Sequence, residues 1–394
     1  MAQDSMPRLG ATSEETVDVL VAGSLAMDLS CDYSPITAPG QNLGSPTLST
    51  SNPAVISQNV GGVGHNVATA LHYCGINTRL CSAVGDDETG RAVLALLQQK
   101  GLDTSEVKVL GPGFRTARYV AVNSINKDLV VGMADMSILD SLHHDFTKIW
   151  QPSINRCQPQ WLIVDGNWDA STLTQWIAAG RARGTQVAYE PVSVEKSSRI
   201  LQGSSLTVAD IATPNEAELL AMAQQVNTFD MDPYSIFDII LPNIPQDATN
   251  IVNAALKILP RIPCLITKLG PRGILLTKGL HKADPRLNDP AYSDHVLLRK
   301  TTRDISGQLG VYAGIYVRYF APAEIVPQES IVSVNGVGDT FLGMVVAGLV
   351  RDATRPIEEL IDIAQRGAIL TLKSNESVSP RIKSIAHFSN PHSS

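Results

Sequence analysis

From about residue 17 onward, compact apolar runs alternate with stretches whose apolar residues recur at helical spacing. "VDVLVAGS" (17–24), "TRLCSAVG" (78–85), "WLIVDG" (161–166), "TQVAYEP" (185–191) and "SLTVADIATP" (205–214) are of strand length. Between them, "GHNVATALHYCG" (64–75), "DETGRAVLALLQQKG" (87–101), "STLTQWIAAGRARG" (171–184) and "NEAELLAMAQQV" (215–226) read as helices, the first two closed by glycine. Strands apolar along their whole length, each followed by a helix, predict parallel pairing through crossover helices and a sheet covered on both faces. The expected architecture is a doubly wound α/β domain.

Two stretches break this rhythm. Residues 30–60 are rich in Ser, Pro, Asn and Gly, and "TARYVAVNSINKDLVVGMAD" (116–135) reads as two strands around an "NSINKD" turn. Together, parts of 30–60 and 111–135 predict a small β lid inserted between the early α/β units. The polar, proline-containing insertions at 225–250 and 279–308 are expected to be surface loops. The N-terminal residues 1–16 mix acids with bases and lack an apolar segment, so they read as a disordered lead, with one large domain spanning 17–385 and a flexible tail over 386–394.

Charge and cysteine usage remove several function classes. A formal net charge of -7 without a Lys/Arg cluster argues against nucleic-acid binding. The apolar stretch 340–350 is far too short to span a bilayer, so the chain reads as soluble. Five cysteines without a C-x-x-C pair fit reduced thiols in a cytoplasmic protein. His143 and His144 lack a third ligand in their neighbourhood of the sequence, and no metal site is expected there.

The candidate chemistry lies in "NGVGD" (335–339), a glycine-rich turn opening the apolar helix "TFLGMVVAGLV". A helix N-terminus presents unpaired N–H groups and a positive dipole end, and Gly336 and Gly338 would let an anion approach them. Asp339 in that first turn would repel a bound phosphate unless its carboxylate faces a hydroxyl that attacks the phosphorus and gives up its proton. A plain helix-terminal acid is the alternative. A second cluster, "VGGVGHN", sets Gly61 and Gly62 before Asn66, and Asp28 follows the first strand, where ligands of open α/β sheets bind. His65 in this cluster is read as a surface or capping residue, with a substrate contact as the other option. "NEAE" sets Asn215 three residues before Glu218 at a helix start, and the Glu218 carboxylate could hold a hydrated Mg²⁺ near phosphates or equally be an ordinary helix-cap acid. "TKLGPRG" holds Gly270 and Gly273 in a turn between two strands.

The order of these motifs resembles the PfkB, or ribokinase-like, family of sugar and nucleoside kinases, from about residue 17 to 380. "GGVGHNVATALHYCGINTRLCSAVGDDETG" is similar to the family's first signature, "SVNGVGD" to its second, and "NEAE" to its N-x-x-E element. The resemblance implies a three-layer ribokinase-like sandwich with a mainly parallel central sheet and a β lid, using ATP and Mg²⁺ on a small nucleoside or sugar. It implies Asp339 as general base, the amides of Gly336, Val337 and Gly338 as anion hole, and Asp28, Gly61, Gly62 and Asn66 around the substrate. Asn215 and Glu218 would order phosphate and, through water, Mg²⁺, and Gly270 and Gly273 would line the nucleotide. Within the family, "VVGMADMSILDSL", "IVDGNW" and "YEPVSVEKS" resemble eukaryotic pseudouridine kinases, which places Asn167 at the substrate. Ser333 stands where most relatives carry an acid of the monovalent-cation site, so potassium activation is not expected. Association of two copies through the lid is one option for the assembly.

Overall fold

The computed structural model describes residues 16–34, 44–139, 145–202, 208–226, 248–292, 294–298 and 312–386. His143, His144 and nearly all of the 225–250 insertion lie outside them.

Fourteen strands among these residues form two sheets. In chain order they are β1 (Val19–Ala22), β2 (Ala26–Tyr33), β3 (Ala54–Gly61), β4 (Thr78–Gly85), β5 (Val107–Leu110), β6 (Arg118–Asn123), β7 (Leu129–Asp135), β8 (Trp161–Asp165), β9 (Gln186–Glu190), β10 (Ile211–Ala212), β11 (Cys264–Lys268), β12 (Ile274–Leu280), β13 (Val296–Leu298) and β14 (Gly314–Phe320). The large sheet runs β13-β14-β12-β11-β10-β9-β8-β1-β4-β5. Its pairs from β11 to β5 are parallel, while β12, β14 and β13 add an antiparallel edge. Every predicted strand is present, though "SLTVADIATP" contributes only the two residues of β10.

Two hydrophobic cores, one on each face, explain the continuous apolar runs. Along β1, Val19 and Val21 enter one core while Leu20 and Ala22 enter the other, as the two-residue period of a strand requires. The first face is covered by the helices Ala170–Arg181, Glu216–Gln225 and Thr249–Ile258, with Trp150, Trp168 and Trp176 packed together beneath them. The second is covered by Val63–Tyr73, Glu88–Gln99, Val337–Arg351 and Ile357–Leu372. This is the expected three-layer sandwich. All five cysteines are unpaired, and four are buried.

The lid is a four-stranded sheet, β3-β2-β6-β7, projecting from the C-terminal end of β1. Its β6–β7 hairpin turns at "NSINKD", where the Ser124 hydroxyl accepts from the Asn126 and Asp128 amides. Val55, Ile56, Leu129, Val130, Val131 and Met133 are all exposed on this sheet.

The reading of 279–308 as surface loop is corrected by its described residues. Val296–Leu298 pairs with β14 at the sheet edge, and Arg286 forms a largely shielded ion pair with Glu358 at 3.0 Å while lying over the rings of Tyr292 and Tyr316. A guanidinium so placed ties the insertion to the Ile357–Leu372 helix, which a polar stretch of sequence does not reveal.

Candidate active site

The site lies at the C-terminal ends of the parallel strands, where side chains leave the sheet and helix N-termini arrive. Gly336 begins the helix Val337–Arg351 in the left-handed region, φ 73°, and a side chain there would collide with the Ser377 carbonyl. The first helical hydrogen bond runs from Thr340 N–H to the Gly336 carbonyl at 2.8 Å. The Val337 and Gly338 amides precede it and have no acceptor among the described residues, as expected of a helix start without a side-chain cap.

Asp339 is buried in this first turn, and its Oδ2 accepts from Asn66 Nδ2 at 2.8 Å. Burial, then the negative charge of Glu190, push its carboxyl up to about 8, against the opposing pull of the Asn66 hydrogen bond and of Lys268. A carboxyl with this affinity is suited to taking up a proton near neutral pH.

Asn66 is itself oriented by a short chain. Its Oδ1 lies 3.1 Å from His65 Nδ1, and His65 Nε2 lies 3.2 Å from the Thr69 hydroxyl. With Asn66 Oδ1 as acceptor, His65 carries its proton on Nδ1, and Thr69 donates to Nε2. His65 is only 1 % exposed, which corrects its reading as a surface or capping residue. Burial pushes its pKa down to about 4, so the ring is neutral. The helix Val63–Tyr73 lies sandwiched between the sheet and Val337–Arg351, so it has apolar neighbours on two sides and residues from Gly64 to Leu71 are all buried.

The other glycine cluster starts this Val63–Tyr73 helix, with Gly62 at φ 97° as its cap. Asp28, on β2, is folded back over Gly61, where any side chain would collide with its carboxylate. Burial raises the Asp28 carboxyl to about 6. Asp28, Gly61 and Gly62 therefore form one wall where the lid meets the large sheet.

Behind this wall lies a buried polar network. Ser24 donates its amide to Asp165 Oδ2 at 2.7 Å, its hydroxyl lies 3.1 Å from the same oxygen, and it accepts from the Val63 amide and from Asn167 Nδ2, both at 2.9 Å. Asn167 Oδ1 accepts from Lys196 Nζ at 2.7 Å. Asn167 is thus brought to the strand ends, with both ends of its amide committed inside the protein.

Asn215 and Glu218 form a reciprocal capping box: Asn215 Oδ1 accepts from the Glu218 amide at 2.9 Å, and Glu218 Oε2 from the Asn215 amide at 2.8 Å. Burial and the nearby Glu190 raise the Glu218 carboxyl. Gly270 and Gly273 bracket the turn between β11 and β12, both at positive φ, and the space around Gly270 is open.

Lys268, the last residue of β11, joins these parts. Its Nζ donates to Glu190 Oε1 at 2.9 Å, its amide donates to the Pro214 carbonyl at 2.8 Å, and a methyl group at Gly338 would stand 2.8 Å from its ammonium nitrogen. Burial works to lower its pKa, but the carboxylates of Glu190, Glu218 and Asp339 outweigh that and hold the ammonium charged. The other oxygen of Glu190 accepts from the Thr213 hydroxyl.

Reading the sequence missed Lys268, Glu190, Asp165 and Ser24. A signal existed: "WLIVD", "QVAYE" and "CLITK" are buried strands each closed by one charged residue, and the ends of parallel strands are where such sheets bind ligands.

A model of the pfkB family of carbohydrate kinases matches residues 18–286. The chain is 27 % identical over 404 residues to a pseudouridine-metabolizing bifunctional protein of Schizosaccharomyces pombe, covering 97 % of this chain and 49 % of that one. It is 27 % identical over 182 residues to pseudouridine kinase of Escherichia coli, covering 46 % and 54 % of the two chains, and 28 % over 216 residues to pseudouridine kinase of Arabidopsis thaliana, covering 52 % and 50 %. The chain spans about half the length of these curated relatives. Among solved structures, it superposes on Arabidopsis thaliana ribokinase complexed with ribose and ATP with a TM-score of 0.61 at 15 % identity, covering 95 % of this chain and 100 % of that one. For a Cryptococcus neoformans ribokinase in complex with ADP the TM-score is 0.60 at 17 % identity, covering 94 % and 99 %. The ribokinase-like fold is shared.

Proposed function

Because the chain belongs to the pfkB family of carbohydrate kinases, we propose that it transfers the terminal phosphoryl group of ATP to the 5′-hydroxyl of pseudouridine, giving pseudouridine 5′-phosphate in nucleoside breakdown. The observation that carries the transfer chemistry is Asp339: a buried, oriented carboxyl in the first turn of a helix whose Val337 and Gly338 amides are free to bind an anion. In this reading Asp339 accepts the hydroxyl proton as the new oxygen–phosphorus bond forms, and the amides stabilise charge on the phosphoryl oxygens. Asp28, with the backbone at Gly61 and Gly62, binds the ribose hydroxyls, and the lid keeps water from competing as acceptor. The names of the relatives support pseudouridine as the acceptor.

Glu190, Glu218 and Asp339 all act electrostatically on the Lys268 ammonium, so negative charge gathers on this side of the site. Among the described residues no three His, Cys, Asp or Glu come together as a cage for a metal. Glu218, held at the start of its helix by the Asn215 amide, would reach through water an Mg²⁺ that keeps waters and phosphate oxygens as ligands. When bound with ATP, the ion would neutralise phosphate charge. Gly270 and Gly273 would line the nucleotide side. Pairing of two copies through the exposed apolar side chains of the lid is supported by their number on one small sheet, and light scattering tests it.

Ribose or adenosine as acceptor is the second reading, favoured by one observation. The Asn167 amide already serves Ser24 and Lys196, which leaves it less free to recognise a base. Steady-state kinetics on pseudouridine, uridine, adenosine and ribose decides between them. The expected outcome is the highest kcat/KM for pseudouridine; a preference for ribose or adenosine keeps the kinase and removes this acceptor.

A further inference from the structure

We propose that Lys268 is a catalytic residue of the transfer, its ammonium binding the phosphoryl group in flight above the Gly336–Gly338 turn. The proposal rests on the kinase reading above and adds to it a side chain that the glycine-loop motif does not contain.

Three observations carry it. The first is position. The ammonium nitrogen stands so close to Gly338 that a methyl group there would be 2.8 Å away, so the charge sits against the residue whose amide is open for an anion. The second is availability. An ammonium has three donors, and among the described residues the hydrogen-bond partner of this one is Glu190 alone, at 2.9 Å. Glu190 in turn is held by the Thr213 hydroxyl as well, so it would not be stranded if the lysine shifted one bond to a phosphoryl oxygen. The third is environment. The Lys268 side chain is 17 % exposed beside a Glu190 that is 5 % exposed, so its charge acts through little water, where one fixed cation is worth far more than at the surface.

The step balances without altering the lysine. The acceptor oxygen bonds to the terminal phosphorus, and the bond from that phosphorus to the bridging oxygen breaks with its electron pair going to ADP. The acceptor proton goes to Asp339, and Lys268 stays protonated throughout, supplying charge alone.

A purely structural lysine, present to neutralise Glu190, makes a different prediction. In that case Lys268→Met is harmful because it leaves a buried carboxylate unpaired, and removing both charges with Lys268→Met and Glu190→Gln together restores activity. In the proposal, the single variant loses about 10² to 10³ in kcat, as for other preorganised donors to transferring groups, and the double variant remains as impaired.

Calorimetric titration gives the second readout. In the wild-type protein with Mg²⁺, a non-hydrolysable ATP analogue with its terminal phosphate is expected to bind more tightly than ADP, and Lys268→Gln is expected to abolish most of that difference while leaving ADP affinity within a few fold. Lys268→Arg, which keeps the charge and the buried pair, serves if the neutral variants fail to fold, and is expected to retain part of both kcat and the analogue preference. Rescue by the double variant, or equal losses of ADP and analogue affinity in the glutamine variant or, where that one fails to fold, in the arginine variant, would overturn the role. Wild-type protein that consumes ATP with none of the four acceptors removes the kinase reading itself. An active wild type with a rescued double variant removes only Lys268.

Discussion

Two helices of this protein begin at a glycine with positive φ and no side-chain cap, yet the two starts are chemically opposite. At Val63–Tyr73 the Ser24 hydroxyl takes the Val63 amide and the Ser24 carbonyl takes the His65 amide, so two of its first-turn donors are satisfied from within. At Val337–Arg351 the Val337 and Gly338 amides have no acceptor among the described residues, and a lysine and an aspartate stand beside them. The same glycine-rich spelling thus encodes a largely sealed joint in one place and a turn with open donors in the other. What distinguishes them is the strand end that each meets: a serine that fills the donors, or charged side chains that leave them available.

The sharpest way to break this contrast is at the open end. Asp339→Asn keeps size and the contact with Asn66 but cannot accept a proton, so kcat is expected to fall by about two to four orders of magnitude with the fold and nucleotide binding retained. Near-normal kcat would leave Asp339 as an ordinary helix-terminal acid.

The next effect is pH. The Asp339 carboxyl is raised to about 8, so below that value it is increasingly protonated and unable to act as base. Accordingly kcat/KM is expected to rise about tenfold per pH unit on the acid side and level off near 8. Asn66→Ala removes a hydrogen bond that favours the charged form and should move the midpoint upward. A flat profile between pH 6 and 8 in the wild type would contradict the assignment.

At the sealed end the expected loss is in stability. Ser24→Ala leaves the Val63 amide, Asp165 and Asn167 each short of a buried partner, for a cost of about 1–3 kcal/mol in denaturant unfolding, with kcat falling less than for Asp339→Asn. A variant that unfolds like the wild type would mean this joint is not sealed by Ser24.

The smallest effect is expected from monovalent cations. Ser333 presents a neutral hydroxyl that already accepts from the Asn335 amide at 3.1 Å. Exchanging K⁺ for a large organic cation at constant ionic strength should change the rate little, and strong K⁺ dependence would show that other groups supply the site.

Much of the architecture was legible because its causes are local. Alternating strand and helix periods, glycine stops, the lid hairpin around "NSINKD" and the Gly336 turn each follow from a few neighbouring residues. The strand order was not legible, since β1 lies between β4 and β8 and that pairing joins residues far apart in the chain. Nor was the bond from Asn66 to Asp339, which spans 273 positions of the chain, nor the ion pair of Arg286 with Glu358. By itself the sequence determined a layered α/β domain with a lid and two glycine-capped helix starts, because backbone preference and apolar periodicity act within a few residues. Only the tertiary structure decided which start is open, by bringing Glu190, Lys268 and Asp339 from separate segments into one poorly solvated space, where charges act on one another with a strength that no spacing along the chain records.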